Sequence, residues 1–302
     1  MCTVAGAEVS GFNGEGLPAD ESWLYLPSGL ALDPDGRLCI ADFNNQRVRC
    51  LAGGTLVTVA GTGIHEYSTP GVPMVQTPFD NPIEAQWHDG RLTVLPAHES
   101  RVVREDAMGN LEIIAGTGDE GYTGDGGPAV DATFAQPCGF TWGNDGSLWI
   151  ADTLNGALRR VDEAGIVSTV VSGLAGVQRV RPGEGDHVIV TDTYAGRVLD
   201  VSPEGDVTVL GEGFELPWSA TLAWDGAIYV TSSGENRIFR LVDGEVELVA
   251  GTGEAGFSGD GGPATEARFS WPADTLLLDD GTLVVADMQN GRVRTIGGVA
   301  TP

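Results

Sequence analysis

The chain has no lysine, few cysteines and no long apolar run. All 16 of its basic residues are arginines, against 43 acidic residues, so the formal net charge is −27. A surface of that sign repels phosphate backbones, and we therefore predict no nucleic-acid partner. No stretch approaches the roughly 18 consecutive apolar residues of a membrane-spanning helix, so we predict no membrane span either.

The four cysteines exclude two common uses of cysteine. They stand far apart, at Cys2, Cys39, Cys50 and Cys138, and form no CxxC pair. Four in 302 residues are too few for a disulfide scaffold, and the spacing does not match a zinc ribbon. Cys39 and Cys50 flank one predicted hairpin and could face each other, but we expect free buried thiols. No signal-peptide pattern is present, so the compartment stays open; a secreted or cell-envelope protein of bacterial type with its signal trimmed is one reading.

A repeat organises the whole chain, and the residue that opens each unit measures its period. The intervals between these residues are 55 or 40 residues, and the long units carry an insert of the type GTG…GDGGPA. Long units precede the first, second, third and last openings. Six units account for nearly all 302 residues, which favours a closed ring over an open solenoid. The openings are Pro27, Pro82, Pro137, Val177, Pro217 and Pro272.

Each unit contains four short apolar runs divided by Gly, Asp and Asn turns, as in LPSGLALD, RLCIAD, RVRCL and TLVTVAG of the first unit. Such runs predict four antiparallel strands, which is one blade of a propeller. The fold class is therefore all-β, a six-bladed β-propeller, with residues 1–302 as a single domain. Val4–Gly6 matches a fourth strand, whereas the last unit stops after its third. We predict that the N-terminal strand completes the last blade.

The segments after the second strand show a family resemblance. They read IADFNNQRVR, IADTLNGALR, VTDTYAGRVL and VADMQNGRVR. This pattern resembles the NHL-repeat family of six-bladed β-propellers and covers essentially the whole chain. The resemblance implies the fold and leaves the function open, because members of this family serve as protein-binding, RNA-binding and enzymatic domains.

Polar residues that recur in most units are expected to serve the scaffold. An aspartate ends the second strand and an arginine opens the third, so the two should pair across the hairpin loop. Asp125 and Asp260, in two of the inserts, are expected to cap a helical turn. The recurrent aspartates are Asp42, Asp152, Asp192 and Asp287, and the arginines are Arg47, Arg101, Arg197, Arg237 and Arg292.

Function is expected where the repeat is broken. Two residues after each opening, three units carry a charge where others carry Gly or Ser, and the first strand of a blade lines the central channel. The units without inserts should leave one sector of that channel mouth open, over Arg179 and Trp218. We predict a ligand site at this mouth, formed by Glu84, Cys138, Arg179, Trp218 and Asp274.

The second unit departs furthest from the pattern. Its insert gains His65 and its second hairpin loop gains His98. With Glu84 beside them and Asp274 across the channel, these residues could hold a divalent metal such as Ca²⁺, Zn²⁺ or a similar ion. In the competing interpretation Arg179 bridges Glu84 and Asp274 as a plug, and the histidines are exposed loop residues. No cofactor is certain.

Two functions from different classes follow. The first is a ligand- or protein-binding module, a monomer that uses one asymmetric channel face for a small molecule, peptide, glycan or protein partner. The alternative is a metal-assisted lyase or hydrolase with its site at the channel mouth. Whether the chain is an enzyme stays open, since no Ser-His-Asp signature is present and Cys138 has no obvious base.

Overall fold

The computed structural model of the protein describes residues 1–300. They form six antiparallel sheets of four strands each, as the sequence predicts. The first strand of every sheet packs against the first strands of both neighbouring sheets, so the six sheets close into a ring. The prediction of a six-bladed β-propeller is confirmed. No helix among these residues is both long and apolar enough to cross a membrane.

The strands follow one another within each blade from the channel outwards. In chain order they are β1 (Cys2–Ala5), β2 (Pro27–Leu32), β3 (Leu38–Asp42), β4 (Arg47–Ala52), β5 (Thr55–Ala60), β6 (Pro82–His88), β7 (Arg91–Pro96), β8 (Val102–Glu105), β9 (Leu111–Ala115), β10 (Gly139–Trp142), β11 (Leu148–Asp152), β12 (Ala157–Val161), β13 (Val167–Ser172), β14 (Val177–Pro182), β15 (Val188–Asp192), β16 (Arg197–Val201), β17 (Val207–Glu212), β18 (Pro217–Leu222), β19 (Ile228–Ser232), β20 (Arg237–Val242), β21 (Glu245–Ala250), β22 (Pro272–Leu277), β23 (Leu283–Asp287) and β24 (Arg292–Ile296). Five single 3₁₀ turns lie at Phe43–Asn45, Ala129–Asp131, Thr193–Ala195, Ala264–Glu266 and Met288–Asn290.

The N-terminal strand closes the ring. Strand β1 pairs with β24 and becomes the outer strand of the sixth blade, with Thr3 opposite Arg294. Asp260 of the sixth insert accepts hydrogen bonds from the Thr3 amide at 3.0 Å and from its hydroxyl at 2.6 Å. The carboxylate of Glu15 binds Thr58 of the first blade in the same way. The seam is therefore built like an intact blade, and the predicted closure is confirmed.

The four inserts are packed segments of the fold. Each one buries a large apolar side chain between blades shortly before the opening residue, and each of these side chains is fully inaccessible to solvent. Burial of such a side chain stabilises by about 1.5–3 kcal/mol. The inserts stand before the first, second, third and sixth blades, as predicted. The buried side chains are Leu24, Phe79, Phe134 and Phe269.

The expected pairing of the recurrent aspartates with the arginine that opens the third strand is wrong in the first and sixth blades, and in the third blade the strand opens with Ala157. Asp152 instead binds Arg159, the third residue of its strand, at 3.1 Å. The guanidinium of Arg159 also binds the carbonyl of Thr123 and, at 2.8 Å, the carboxylate of Asp125 in the insert. Arg294 makes the equivalent contacts in the sixth blade, with Asp287, the Ser258 carbonyl and Asp260. In the first blade Arg49 binds Asp42 and the insert carbonyl of Gly14, but no insert carboxylate.

This buried arginine explains a second correction. Asp125 and Asp260 do not cap the 3₁₀ turns, whose N-cap residues are Pro128 and Pro263. Their carboxylates are already engaged by Arg159 and Arg294, which are completely buried beneath the inserts. The fourth blade has no insert, and there the first arginine, Arg197, does pair with Asp192 as predicted.

Cys39 and Cys50 form a disulfide, so the expectation of free buried thiols is wrong for this pair. The two residues are direct partners in the register of β3 and β4, and their Cα atoms lie 4.0 Å apart. That register brings the two sulfur atoms together. Cys2 and Cys138 are free thiols.

Replacing both disulfide cysteines should measure what the bond contributes. A loop this short loses about 3 kcal/mol of unfolded-state entropy when it is cross-linked. We expect Cys39→Ala with Cys50→Ala to lower the melting temperature, and a similar change in wild type on reduction. Alkylation of the unfolded, unreduced wild type should label two cysteines. Labelling of four would show that the bond is not formed.

The buried arginine should anchor its insert selectively. We expect Arg159→Met to speed hydrogen exchange across residues 117–134 and to destabilise by about 3–5 kcal/mol, because Asp152 keeps a buried charge without its partner. The neighbouring Arg160 pairs with Asp145 at the surface and provides the matched control. Arg160→Met should cost less than about 1 kcal/mol. Equal effects of the two substitutions would contradict the anchoring role.

Candidate functional site

Four charged side chains fill the centre of the ring. We call Glu84, Arg179, Arg181 and Asp274 the channel network. They come from the first strands of the second, fourth and sixth blades, which alternate around the ring. All four are buried, Arg179 and Asp274 completely. The alternation lets three blades project long side chains inward while the other three leave room.

Arg181 is the bridge of the channel network. Its guanidinium binds Glu84 Oε1 through one nitrogen and Asp274 Oδ2 through the other, the latter at 2.8 Å. Arg179 binds the second oxygen of Glu84 at 3.2 Å. The plug interpretation therefore has the right chemistry, but the residue that bridges the two carboxylates is Arg181 rather than Arg179.

The channel network also binds the first, third and fifth blades, which contribute no charged side chain to it. Asp274 accepts hydrogen bonds from the Leu30 amide of the first blade and from the Ser219 hydroxyl of the fifth, at 2.9 and 2.7 Å. Glu84 accepts the Phe140 amide of the third blade at 3.0 Å. Every one of the six blades thus contributes at least one atom to a single set of contacts.

Two glycines let neighbouring first strands approach each other closely. A Cβ at Gly29 would lie 2.9 Å from the Ile83 carbonyl oxygen, and one at Gly139 would lie 2.9 Å from the Gln178 carbonyl oxygen. Both positions are two residues after the opening of a unit, where Glu84 stands in the second blade. Glycine in the first and third blades is therefore required by the close approach of the neighbouring blade's backbone, whereas the fifth blade carries Ser219 at this position.

Two positive and two negative charges leave the network neutral overall. Burial alone would lower the pKa of Arg181, but the carboxylates of Asp274 and Glu84 outweigh it and hold that pKa above its ordinary value. Pairing of this kind is what makes four buried charges tolerable in a channel.

The predicted ligand residues divide into buried and accessible ones. Glu84 and Arg179 form an ion pair, and Asp274 is joined to Glu84 only through Arg181; all of them lie inside the network rather than in an open mouth. Cys138 is largely buried, and burial raises the pKa of its thiol, which disfavours the reactive thiolate. Trp218 is half-buried against Trp271, with ring centroids 5.5 Å apart, and its indole N–H has no hydrogen-bond partner among residues 1–300.

The predicted metal ligands fall into two groups. His65 and His98 both approach Asp80, with His98 Nδ1 2.9 Å from Asp80 Oδ1 and His65 Nε2 also within hydrogen-bond distance of that oxygen. The carboxylate oxygens of Glu84 and Asp274 are bound instead by the arginines of the channel network and by backbone amides. A cluster of metal-ligand side chains therefore exists, and its carboxylate is Asp80.

One end of the ring is rich in exposed apolar groups. We call it the loop face: the loops between the second and third strands, with the insert residues that lie against them. Two of its aromatic rings lie against the arginine that opens a third strand. The guanidinium carbon of Arg47 is 3.9 Å from the ring centroid of Phe12, and that of Arg292 is 3.7 Å from the ring centroid of Phe257. The exposed residues are Phe12, Tyr25, Tyr67, Leu154, Tyr194 and Phe257.

Two large cavities lie between blades rather than over the channel. One, of about 730 Å³, lies between the fourth and fifth blades beside His187 and Asp200. Asp200 accepts a hydrogen bond from His187 and raises the pKa of that imidazole. The other, of about 600 Å³, lies between the second and third blades, where His88 stacks on Trp142.

Comparison with known proteins agrees with the fold and the repeat. The family model described as the teneurin NHL domain matches residues 91–202, and the NHL repeat matches residues 24–51. The chain is an NHL-repeat β-propeller. Mouse teneurin-3 is 27% identical over 92% of this NHL propeller, and human teneurin-1 is 26% identical over 92%. The NHL propeller spans about an eighth of the length of these relatives, 12% of each.

Solved structures show the same architecture at low identity. An auxiliary nutrient binding protein from Bacteroides thetaiotaomicron superposes with a TM-score of 0.74 and 14% identity, covering 98% of the NHL propeller and 75% of that chain. Likeness at this identity shows the fold alone. The six-bladed propeller architecture agrees with the prediction from sequence.

Sequence reasoning missed three residues of this NHL propeller. Arg181 lies two positions after Arg179 on the same face of β14, so strand alternation was the available signal. Asp80 and Glu99 gave no signal of their own. Glu99 replaces the asparagine that the first, third and sixth blades carry in this loop. In the second blade Pro96 stands where those blades have the second-strand aspartate, and the buried carboxylate comes from Glu99 instead.

Loss of the bridging arginine should weaken the whole ring. Arg181→Met leaves Glu84 and Asp274 buried with fewer partners, and we expect a loss of about 3–5 kcal/mol in unfolding free energy. Arg240 makes a surface pair with Asp225, so Arg240→Met serves as the control and should cost less than about 1 kcal/mol. Denaturant unfolding measures both. Equal losses of unfolding free energy in the two variants would show that the network does not stabilise the ring.

Proposed function

We propose that residues 1–302 form one protein-binding module, and that its loop face receives a partner with a basic surface. The observation that carries the proposal is the separation of two roles. The channel is filled by the neutral channel network, in which both carboxylates are bound by arginines, whereas large apolar side chains stand exposed on the loop face. Tyr194 is 71% exposed and Leu154 is 62% exposed.

The exposed aromatic rings are suited to a protein interface. Phe12 and Phe257 rest on arginines, and Tyr67 donates its hydroxyl to the His98 carbonyl at 3.0 Å. These contacts fix the rings before any partner arrives, so less side-chain entropy is lost on binding. Aromatic anchors of this kind dominate the energies of protein interfaces.

Charge selects the partner. The four inserts, residues 6–26, 61–81, 116–136 and 251–271, carry thirteen acidic residues and one arginine. A face of that sign attracts basic surfaces and steers them during encounter, an effect that salt weakens. The two units without inserts leave Leu154 and Tyr194 at the open side of this acidic rim, where a partner could reach them.

The geometry does not favour a metal-assisted lyase or hydrolase at the channel mouth. It required Glu84 and Asp274 as metal ligands at the channel mouth, and both carboxylates are held by Arg181. The side chains that remain available to bind a divalent ion are those around Asp80.

A peptide library displayed on phage tests the loop face directly. We expect selected peptides to be rich in basic and aromatic residues, and Tyr194→Ala with Leu154→Ala to weaken their binding by more than about tenfold, as truncation of interface anchors does. Met108→Ala with Val209→Ala removes comparably exposed apolar groups outside the loop face and should leave affinity unchanged.

The opposite pattern overturns the proposal. Selected peptides whose affinity survives the loop-face double substitution but falls with the control pair bind elsewhere on the ring. Affinity that does not weaken as NaCl rises from 50 to about 500 mM would remove the electrostatic part of the argument.

A further inference from the structure

We propose that His65, Asp80 and His98 form a binding site for one Zn²⁺ ion. We call these residues the blade-two triad. One imidazole nitrogen from each histidine and one carboxylate oxygen from Asp80 lie within 4.8 Å of one another. This inference does not depend on the protein-binding proposal.

Three separate segments supply the ligands. His65 lies in the second insert, Asp80 two residues before the opening of β6, and His98 in the loop after β7. Both imidazoles address the same oxygen, Asp80 Oδ1. A small rearrangement of this group would place an ion between the three side chains, where the shared oxygen and two nitrogens now meet. Zinc sites with three protein ligands have this composition.

A buried carboxylate fixes the segments beneath the triad. Glu99 is fully buried and accepts the amides of Ser68 and Asp80, at 2.9 and 3.2 Å. Arg101 binds the same carboxylate at 2.8 Å. Glu99 therefore ties the insert, the approach to β6 and the loop that carries His98 to one point. Support of this kind orients metal ligands and raises affinity.

Comparison between the repeats shows that the triad belongs to this blade. The residue two before each opening and the residue at the tip of the following loop stand in equivalent places in every unit. Only the second unit has metal-ligand side chains at both. In the other units the two residues are Tyr25 and Asn44, Ala135 and Leu154, Ala175 and Tyr194, Glu215 and Gly234, and Ser270 and Gln289.

The donor set selects the ion. Two imidazole nitrogens and one carboxylate suit Zn²⁺, whereas Ca²⁺ and Mg²⁺ prefer sites made of oxygen atoms. The side chains of His65 and His98 are 60% and 49% exposed, so the fourth coordination position faces solvent. A water molecule or a side chain of a partner docked on the loop face could occupy it.

Calorimetric titration with Zn²⁺ tests the site, in a Cys2→Ser background because Cys2 is an exposed free thiol. We expect one Zn²⁺ per chain, and no comparable binding of Ca²⁺ or Mg²⁺. His65→Ala with His98→Ala should weaken Zn²⁺ binding by more than about tenfold, and Asp80→Asn should weaken it as well.

The chain supplies its own matched control. Its other two histidines, His88 and His187, lie beside the two cavities described above, so His88→Ala with His187→Ala should leave Zn²⁺ affinity unchanged. Circular dichroism and thermal melting establish that each variant is folded, and Zn²⁺ should raise the melting temperature of the control but not of the His65/His98 variant.

Two results would overturn the site. The first is the absence of Zn²⁺ binding by the folded parent chain, which would leave the two histidines as hydrogen-bond partners of Asp80. The second is binding that survives loss of His65 and His98, or that is lost with His88 and His187. Peptide binding to the loop face is measured without metal, so either proposal can fail alone.

Discussion

The ring depends on two carboxylates that must be buried and paired at its centre. Glu84 and Asp274 come from the second and sixth blades, which flank the first, and Arg181 of the fourth blade binds both. Because these carboxylates also accept the amides of Leu30 and Phe140, ionic pairing and backbone hydrogen bonding are parts of the same structure. Charge in the channel therefore serves cohesion between blades, because the four charged side chains of the channel network are bound to one another.

A related device operates at the periphery. Arg49, Arg159 and Arg294 are buried under inserts, and each one joins a second-strand aspartate to insert carbonyls. Burial raises the pKa of Asp42 and Asp287 to about 6, since the loss of hydration outweighs the hydrogen bonds that they accept. All three of these arginines belong to blades that have an insert; the second blade, whose insert departs furthest from the pattern, carries Val103 at this position. The inserts are thereby held as rigid parts of the loop face, whose aromatic rings are presented in fixed positions.

The architecture could be predicted from the sequence because the same strand pattern recurs in six units. Blade number, strand order and the closing strand all follow from the spacing of the openings and from the match between Val4–Gly6 and Val59–Gly61. The pairings were less accessible. Arg47 and Arg49 look equivalent in a sequence, and only burial under the insert distinguishes them. The cluster around Asp80 was half predicted, since His65 and His98 stand out as exceptions whereas one more aspartate among 43 acidic residues does not.

Hydrogen exchange at two backbone amides tests the central claim most directly. If the channel carboxylates tie the ring together, the amides of Leu30 and Phe140 exchange only when the ring opens, and they rank among the slowest in the protein. Exchange at these two amides should also accelerate together when the ring is destabilised. Fast exchange of either amide in the folded wild type would show that the carboxylates do not hold the neighbouring blades, and would contradict the account.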